Sequence, residues 1–415
     1  MRRDFKRLTP VVGLFFSIIL LSGCATYQNK VQDAREALKR RDYPVALKDL
    51  EPLAETKSDD QLVYLLDYGV AQQIAGKLPE SNKTLMQADR LAELVDYQSV
   101  SRIAGSLALS EEMVQYKGDT FERIFINAYL AMNFLDMNRL DDALVEARRI
   151  NEKYLKYRAD DKKKFELNAF SKYLSAMIWE ASHSYDDAYI AFQETYKIDP
   201  TISTLGEDLI RSAKLARRMD SYNDWKKKFP EVKENPAWYD RSLGELVIIY
   251  QQGWGPRKSP DRNSYAMPTM VPVYSVTQKM MLAVEGKTPV VSRPVYDVQS
   301  AAISTLQEDY GILAAKRVAG IATKEVLADQ VRQKNELLGA LAWVALYASD
   351  RADVRQWSTL PQTIQTARIH LKPGKYKFSL QGLDVSGAST AENLENQEIE
   401  IRPGQKRFVV WRSLK

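Results

Sequence analysis

Between residues 24 and 230 apolar positions recur three and four apart, the rhythm of one helix face, and a longer rhythm runs through it. Residues 62–89 read Leu65, Tyr68-Gly69, Gln72, Gly76, Leu78, Ser81, Leu85, Ala88. The order returns at 127–150 as Leu130-Ala131, Phe134, Asn138, Leu140, Ala143, Ala147, Ile150, and at 172–200 as Ala176, Trp179, His183, Tyr185, Ala188, Phe192, Pro200. A weaker copy reads Ala34, Ala37, Arg41, Tyr43, Ala46, Leu50, Leu53. In each, a small residue is followed 12 positions later by another: 34 and 46, 69 and 81, 131 and 143, 176 and 188. Small residues let two helices approach closely, so each copy predicts a helix pair. Copies begin 35, 62 and 45 residues apart, which requires inserted helix, chiefly at 91–120. Residues 205–228 read as a degenerate last unit, with Trp225 where a small residue is expected.

The pattern changes after Phe229-Pro230 and Asn235-Pro236, where a boundary is placed near 230–240. Leu246 to Tyr250 is a continuous β-rich run. Met267 to Val276 alternates, but Pro268 and Pro272 make it an edge strand. Met280–Val284 and Pro289–Val295 read as short strands, followed by helix from about Val298 to Lys316 and from about Thr323 to Ala348. The second helix ends in the apolar run Leu337 to Ala348, too short to cross a bilayer and read as the central buried helix of an α/β domain. The tail alternates Ala367, Ile369, Leu371; Tyr376, Phe378, Leu380; Ile399, Ile401; Phe408, Val410. Pro-Gly turns at 373–374 and 403–404 make it a small antiparallel sheet or sandwich.

The first-half spacings resemble the tetratricopeptide repeat, a helix-turn-helix unit of about 34 residues. That resemblance implies an α-solenoid whose first helices line a concave wall. The wall would hold Val63, Leu66, Val70 and Ile74, then Phe125, Met132 and Leu135, then Phe170, Tyr173 and Met177. It is unusually apolar. Either a tightly wound array buries these residues itself, or Phe125, Met132, Leu135, Phe170, Tyr173 and Met177 form a groove for an apolar peptide or another part of this chain.

The amino end carries a different signal. Arg2, Arg3, Lys6 and Arg7 precede the apolar run Val11 to Leu21, the order of an export signal. Leu21-Ser22-Gly23-Cys24 follows, and Cys24 is the only cysteine among the 415 residues. These four residues resemble the lipobox of bacterial lipoproteins, which implies acylation of Cys24 and cleavage before it. Acyl chains contribute about 0.8 kcal/mol per buried methylene, so several anchor a protein stably. Ala25, rather than Asp, implies transport to the inner leaflet of the outer membrane, facing the periplasm. Setting the first 23 residues aside reduces the net charge from +5 to +2, leaving no electrostatic footprint for nucleic acid.

Candidate chemistry is sparse. One cysteine and two histidines exclude a disulfide framework and a zinc site of several Cys or His ligands, and no cofactor motif is present. His183 falls in a helix turn and His370 in a strand, both read as structural or surface residues. Asp141-Asp142 and Asp186-Asp187 precede second helices, where the positive helix end accounts for them. The turn Gly253 to Lys258 could offer backbone N–H groups with Arg257 and Lys258 to an anion.

The lipobox, the repeats, and the stretch Asp350-Arg351-Ala352-Asp353-Val354-Arg355-Gln356-Trp357-Ser358-Thr359-Leu360-Pro361 followed by Leu371-Lys372-Pro373-Gly374-Lys375-Tyr376 resemble a family of proteobacterial outer-membrane lipoproteins that has no established activity. The expected organisation is a signal peptide (1–23), an α-helical repeat of tetratricopeptide-like type (24–230), an α/β domain (240–355) and a small antiparallel β-sheet or sandwich (360–415). The expected role is a non-enzymatic, membrane-anchored scaffold binding periplasmic or membrane proteins in envelope or peptidoglycan assembly. The alternatives are an envelope enzyme acting on glycan or peptide from a site in 240–360, and a pilotin-like accessory of a secretion or pilus machine.

Overall fold

The computed structural model describes residues 27–106, 115–159, 168–262, 267–334 and 351–415, with 336, 338 and 340. Cys24 with Leu21, Ser22 and Gly23 lies outside them, as does the run 337–348 apart from Leu338 and Ala340.

Helices pair in chain order: α1 (Tyr27–Lys39) with α2 (Tyr43–Glu55), α3 (Gln61–Ile74) with α4 (Leu78–Ser106), α5 (Thr120–Asp136) with α6 (Leu140–Ala159), α7 (Ala169–Ala181) with α8 (Tyr185–Ile198), and α9 (Leu205–Leu215) with α10 (Met219–Lys228). The first half is therefore a helical repeat, and the long α4 supplies the inserted length. The 12-residue offset marks the closest approach within a pair. Ser81 Oγ donates to the Gly69 carbonyl at 2.7 Å, and a Cβ at Gly69 would stand 2.7 Å from Leu85 Cδ2. Asp119 and Glu122 form a capping box at the start of α5, and Asn168 Oδ1 accepts from Ser171 N at the start of α7.

Every pair turns on the same device. Arg41, Gly76, Asn138, His183 and Arg217 have φ of 62°, 75°, 58°, 62° and 59°. Each donates its N–H to the carbonyl three residues back, and the following residue donates five back, at 2.8–3.1 Å. This is the Schellman ending, which satisfies the last carbonyls of a helix. Counting from that residue places Tyr222, not Trp225, in the slot of Ala46, Ser81, Ala143 and Ala188, which corrects the expected alignment of the last unit. Trp225 instead stacks on Phe229 and meets Tyr196 edge-on, closing the end of the array.

The second half does not divide near 355–360. Strands β1 (Gly244–Gln252), β6 (Arg293–Asp297), β7 (Thr363–Leu371) and β10 (Lys406–Arg412) form one sheet in the order β10-β1-β7-β6. Strands β4 (Lys279–Val284), β5 (Val290–Val291), β8 (Gly374–Leu383) and β9 (Ser389–Ile401) form another in the order β5-β4-β8-β9. Each sheet contains both early and late strands, so the expected α/β domain and β module are one sandwich. Alternation specified the strands but not their partners. A separate ribbon pairs β2 (Arg257–Pro260) with β3 (Pro268–Val271).

Strand β1 holds three layers together. Leu246, Ile248 and Tyr250 join Met280, Leu282, Phe378 and Leu380 between the two sheets. Val247 and Ile249 face the other way, into the cluster that contains the helical wall. Burial on both faces is why this strand reads as an unbroken apolar run. The long helix α11 (Val298–Arg332) is capped by Asp297, whose Oδ1 accepts from Ser300 N at 2.8 Å. Its first turn packs through Val298, Ala301 and Ala302, but beyond it Ile312, Val318 and Val326 are 58%, 69% and 57% exposed. Among the described residues α11 is one helix, and the expected central buried helix is not seen in them.

Candidate functional site

The concave wall is not an open groove. Phe125, Met132, Leu135, Phe170, Tyr173 and Met177 are all buried in the cluster shared with the sandwich. Phe125 packs 5.7 Å from Tyr296 and 6.4 Å from Trp357, centroid to centroid, and Tyr129 lies 5.2 Å from Trp357. Tyr173 Oη accepts from Arg368 at 2.8 Å, and Gln251 Nε2 donates to Gln73 Oε1 at 3.0 Å. Of the two expected readings of this wall, the groove for a separate peptide is therefore corrected: another part of the same chain fills it.

The filling is specified by polar groups. Residues 352–361 run across the wall as a strap whose side chains are nearly all buried. Asp67 on α3 accepts from Ser358 Oγ and from Thr359 N and Oγ1, each at 3.0 Å, and from Tyr27 Oη. Glu122 on α5 accepts from Trp357 N at 2.8 Å. Burial, with the Asp119 carboxylate nearby, pushes the Glu122 carboxyl up to about 7. Burial also raises Asp67. The outer edge of β10 is covered too, because Val410 N donates to Asp136 Oδ1 at 3.2 Å and Arg407 donates to the carbonyls of Leu135 and Asp136 at 3.1 Å.

At the far end of the array six charges, four of them buried and two partly so, join helices to sheet. Arg211 donates to Glu180 and Asp208, Arg368 donates to Asp208, and Lys406 pairs with Glu180 and Glu245. Glu180 and Asp208 come from α7 and α9, and their basic neighbours hold both carboxyls below the usual range against burial. A cavity of about 70 Å³ opens onto this network, lined among others by Tyr185, Trp238, Tyr239, His183 and His370. The only two histidines of the chain thus share one cavity, which neither local pattern indicated. His183 Nδ1 lies 2.9 Å from Tyr185 Oη in the repeat turn. His370 is half-buried, and burial lowers its imidazole below the ordinary range. The network is neutral and internally paired, an arrangement that fixes the seam between the halves. Among the described residues no group of three or more Asp, Glu or His side chains is placed to hold a metal ion.

The Gly253–Lys258 turn differs from expectation in a specific way. Three of its N–H groups are taken: Gly253 N donates to Ser413 Oγ at 3.2 Å, Gly255 N to Leu360 O at 2.8 Å, and Lys258 N to Gln356 Oε1. Arg257 and Lys258 are neighbours on a strand and so point to opposite faces. Lys258 acts on the Asp119 and Asp353 carboxylates, whereas Arg257 Nε donates to Gln28 Oε1 at 3.1 Å. The backbone nest with two adjacent cations is corrected accordingly.

No family model matches this chain, and no curated protein matches it. Among solved structures, one described as MamA 41-end from Desulfovibrio magneticus RS-1 is 14% identical, with a TM-score of 0.32, over 48% of this chain and 89% of that one. One described as MamA AMB-1 is 13% identical, with a TM-score of 0.32, over 49% and 89%. Likeness at that level leaves the fold to be read from the chain's own elements.

Proposed function

We propose that this chain is a non-catalytic adaptor of the cell envelope, anchored through acylated Cys24 in the outer membrane, that binds a protein partner on the periplasmic side in envelope or peptidoglycan assembly. The observation that carries the reading is α11. With the concave wall closed, partner contact falls to other surfaces, and α11 holds Ile312, Val318 and Val326 exposed along its length. Large apolar side chains kept out of a core along one element are the mark of a contact surface. The repeats then act as a rigid base that positions this helix.

The test uses a form from Ala25 to Lys415, which retains every described residue. It should capture a periplasmic or membrane protein, and Val318→Asp with Val326→Asp should abolish capture at an unchanged melting temperature. Undiminished capture by that double variant would remove α11 from the account. Separately, Cys24→Ser should release the full chain from the membrane fraction; unaltered fractionation would remove the anchor.

A further inference from the structure

Three arginines from distant parts of the sequence meet beside the turn at Trp254: Arg35 from α1, Arg257 from β2 and Arg412 from β10. The Arg35 and Arg412 guanidiniums lie 5.2 Å and 5.5 Å from the Trp254 ring centroid. Arg257 is close enough to act electrostatically on Arg35, and Arg35 in turn on Arg412.

None of the three has a carboxylate partner among the described residues. Arg35 is only 6% exposed, yet its Nη1 has no hydrogen-bond acceptor. Of the acids that act on it, Asp67 gives its oxygens to Tyr27, Ser358 and Thr359, and Glu36 accepts from Lys39. Arg412 donates only to neutral oxygens, at 3.2 Å to Gln251 Oε1 and 3.0 Å to Thr359 O, and its Nε is buried without a partner. Arg257 has only Gln28. Cations withdrawn from water without an anion are costly, and stacking on Trp254 offsets only part of this. Burial accordingly lowers Arg35 and Arg412 from the usual guanidinium range.

We propose that Arg35, Arg257 and Arg412 form a binding site for a phosphate group, which enters past the half-exposed Arg257. Three adjacent guanidiniums, with Arg35 Nη1 and Arg412 Nε unpartnered, suit a compact, multiply charged anion with several oxygens better than a single carboxylate. The source is either a free phosphate compound or a lipid headgroup. The second has a geometric basis: Arg257 is bonded to Gln28, and Cys24 is four residues before it, a reach of about 14 Å of extended chain. The site itself does not depend on Cys24 being acylated.

The Ala25–Lys415 form is titrated calorimetrically with inorganic phosphate and, separately, floated with phosphatidylcholine vesicles with and without phosphatidylglycerol. Phosphate should bind, Arg257→Gln should weaken it about tenfold at an unchanged melting temperature, and Arg35→Lys, which keeps the charge but loses the fork, should weaken it too. Flotation that requires phosphatidylglycerol and is competed by phosphate assigns the headgroup; phosphate binding without flotation assigns a free compound. No binding in either arm, or binding indifferent to both substitutions, overturns the site. Acetate binding as tightly with the same dependence overturns its assignment to phosphate.

Discussion

Arg217 sits in the left-handed region at φ 59°, where a side chain costs about 1–2 kcal/mol that glycine avoids. Against this, glycine loses more freedom on folding. Arg217→Gly should therefore stabilise the protein by about 0.5–1 kcal/mol in urea unfolding, whereas the same change in mid-helix would destabilise it. At Gly69 the opposite holds, because a Cβ would meet Leu85 at 2.7 Å; Gly69→Ala should cost about 1–3 kcal/mol through overpacking. The left-handed turn residue was present in the sequence as Arg41, Gly76, Asn138 and His183, seven positions after each small residue, and as Arg217, but only one is glycine, so the shared turn was hidden by side-chain chemistry. Glu122 carries a pH dependence. Its folded carboxyl titrates near 7, above its unfolded value, so the native state binds the extra proton between them and stability falls as pH rises through that window. Unfolding midpoints should be higher at pH 5.5 than at pH 7.5, with a share on the order of 1 kcal/mol that Glu122→Gln removes.

Among the elements, the strap and the ion network carry the seam. Trp357→Ala should cost about 3–5 kcal/mol, as expected for a large aromatic removed from a closed core. Glu180→Gln should cost a comparable amount, because it leaves Arg211 and Lys406 short of a buried anion. Neither role was legible from local pattern. Asp67 and Glu122 look like ordinary polar positions on repeat helices, and their partners lie more than 200 residues away. Helix pairing was legible because its contacts are local and periodic. Sheet order was not, because β1 draws its neighbours from the last 55 residues of the chain.

For the whole molecule, the wall and its cover should unfold together. A fragment ending near residue 235 would expose Phe125, Met132 and Tyr173, and it is expected to bind an apolar dye and associate, whereas the longer form from Ala25 melts in one transition. Separate transitions for the two halves would show that the seam contributes little.

The parallel pairing of β1 with β10 also sets a timetable. Nearly the entire polypeptide, through Arg412, must be synthesised before β1 acquires its second neighbour and the outermost strand reaches α5. Until then a nascent molecule of some four hundred residues carries a greasy hollow it cannot yet line, so shelter by a chaperone, rather than quick local folding, becomes a condition of reaching the native state.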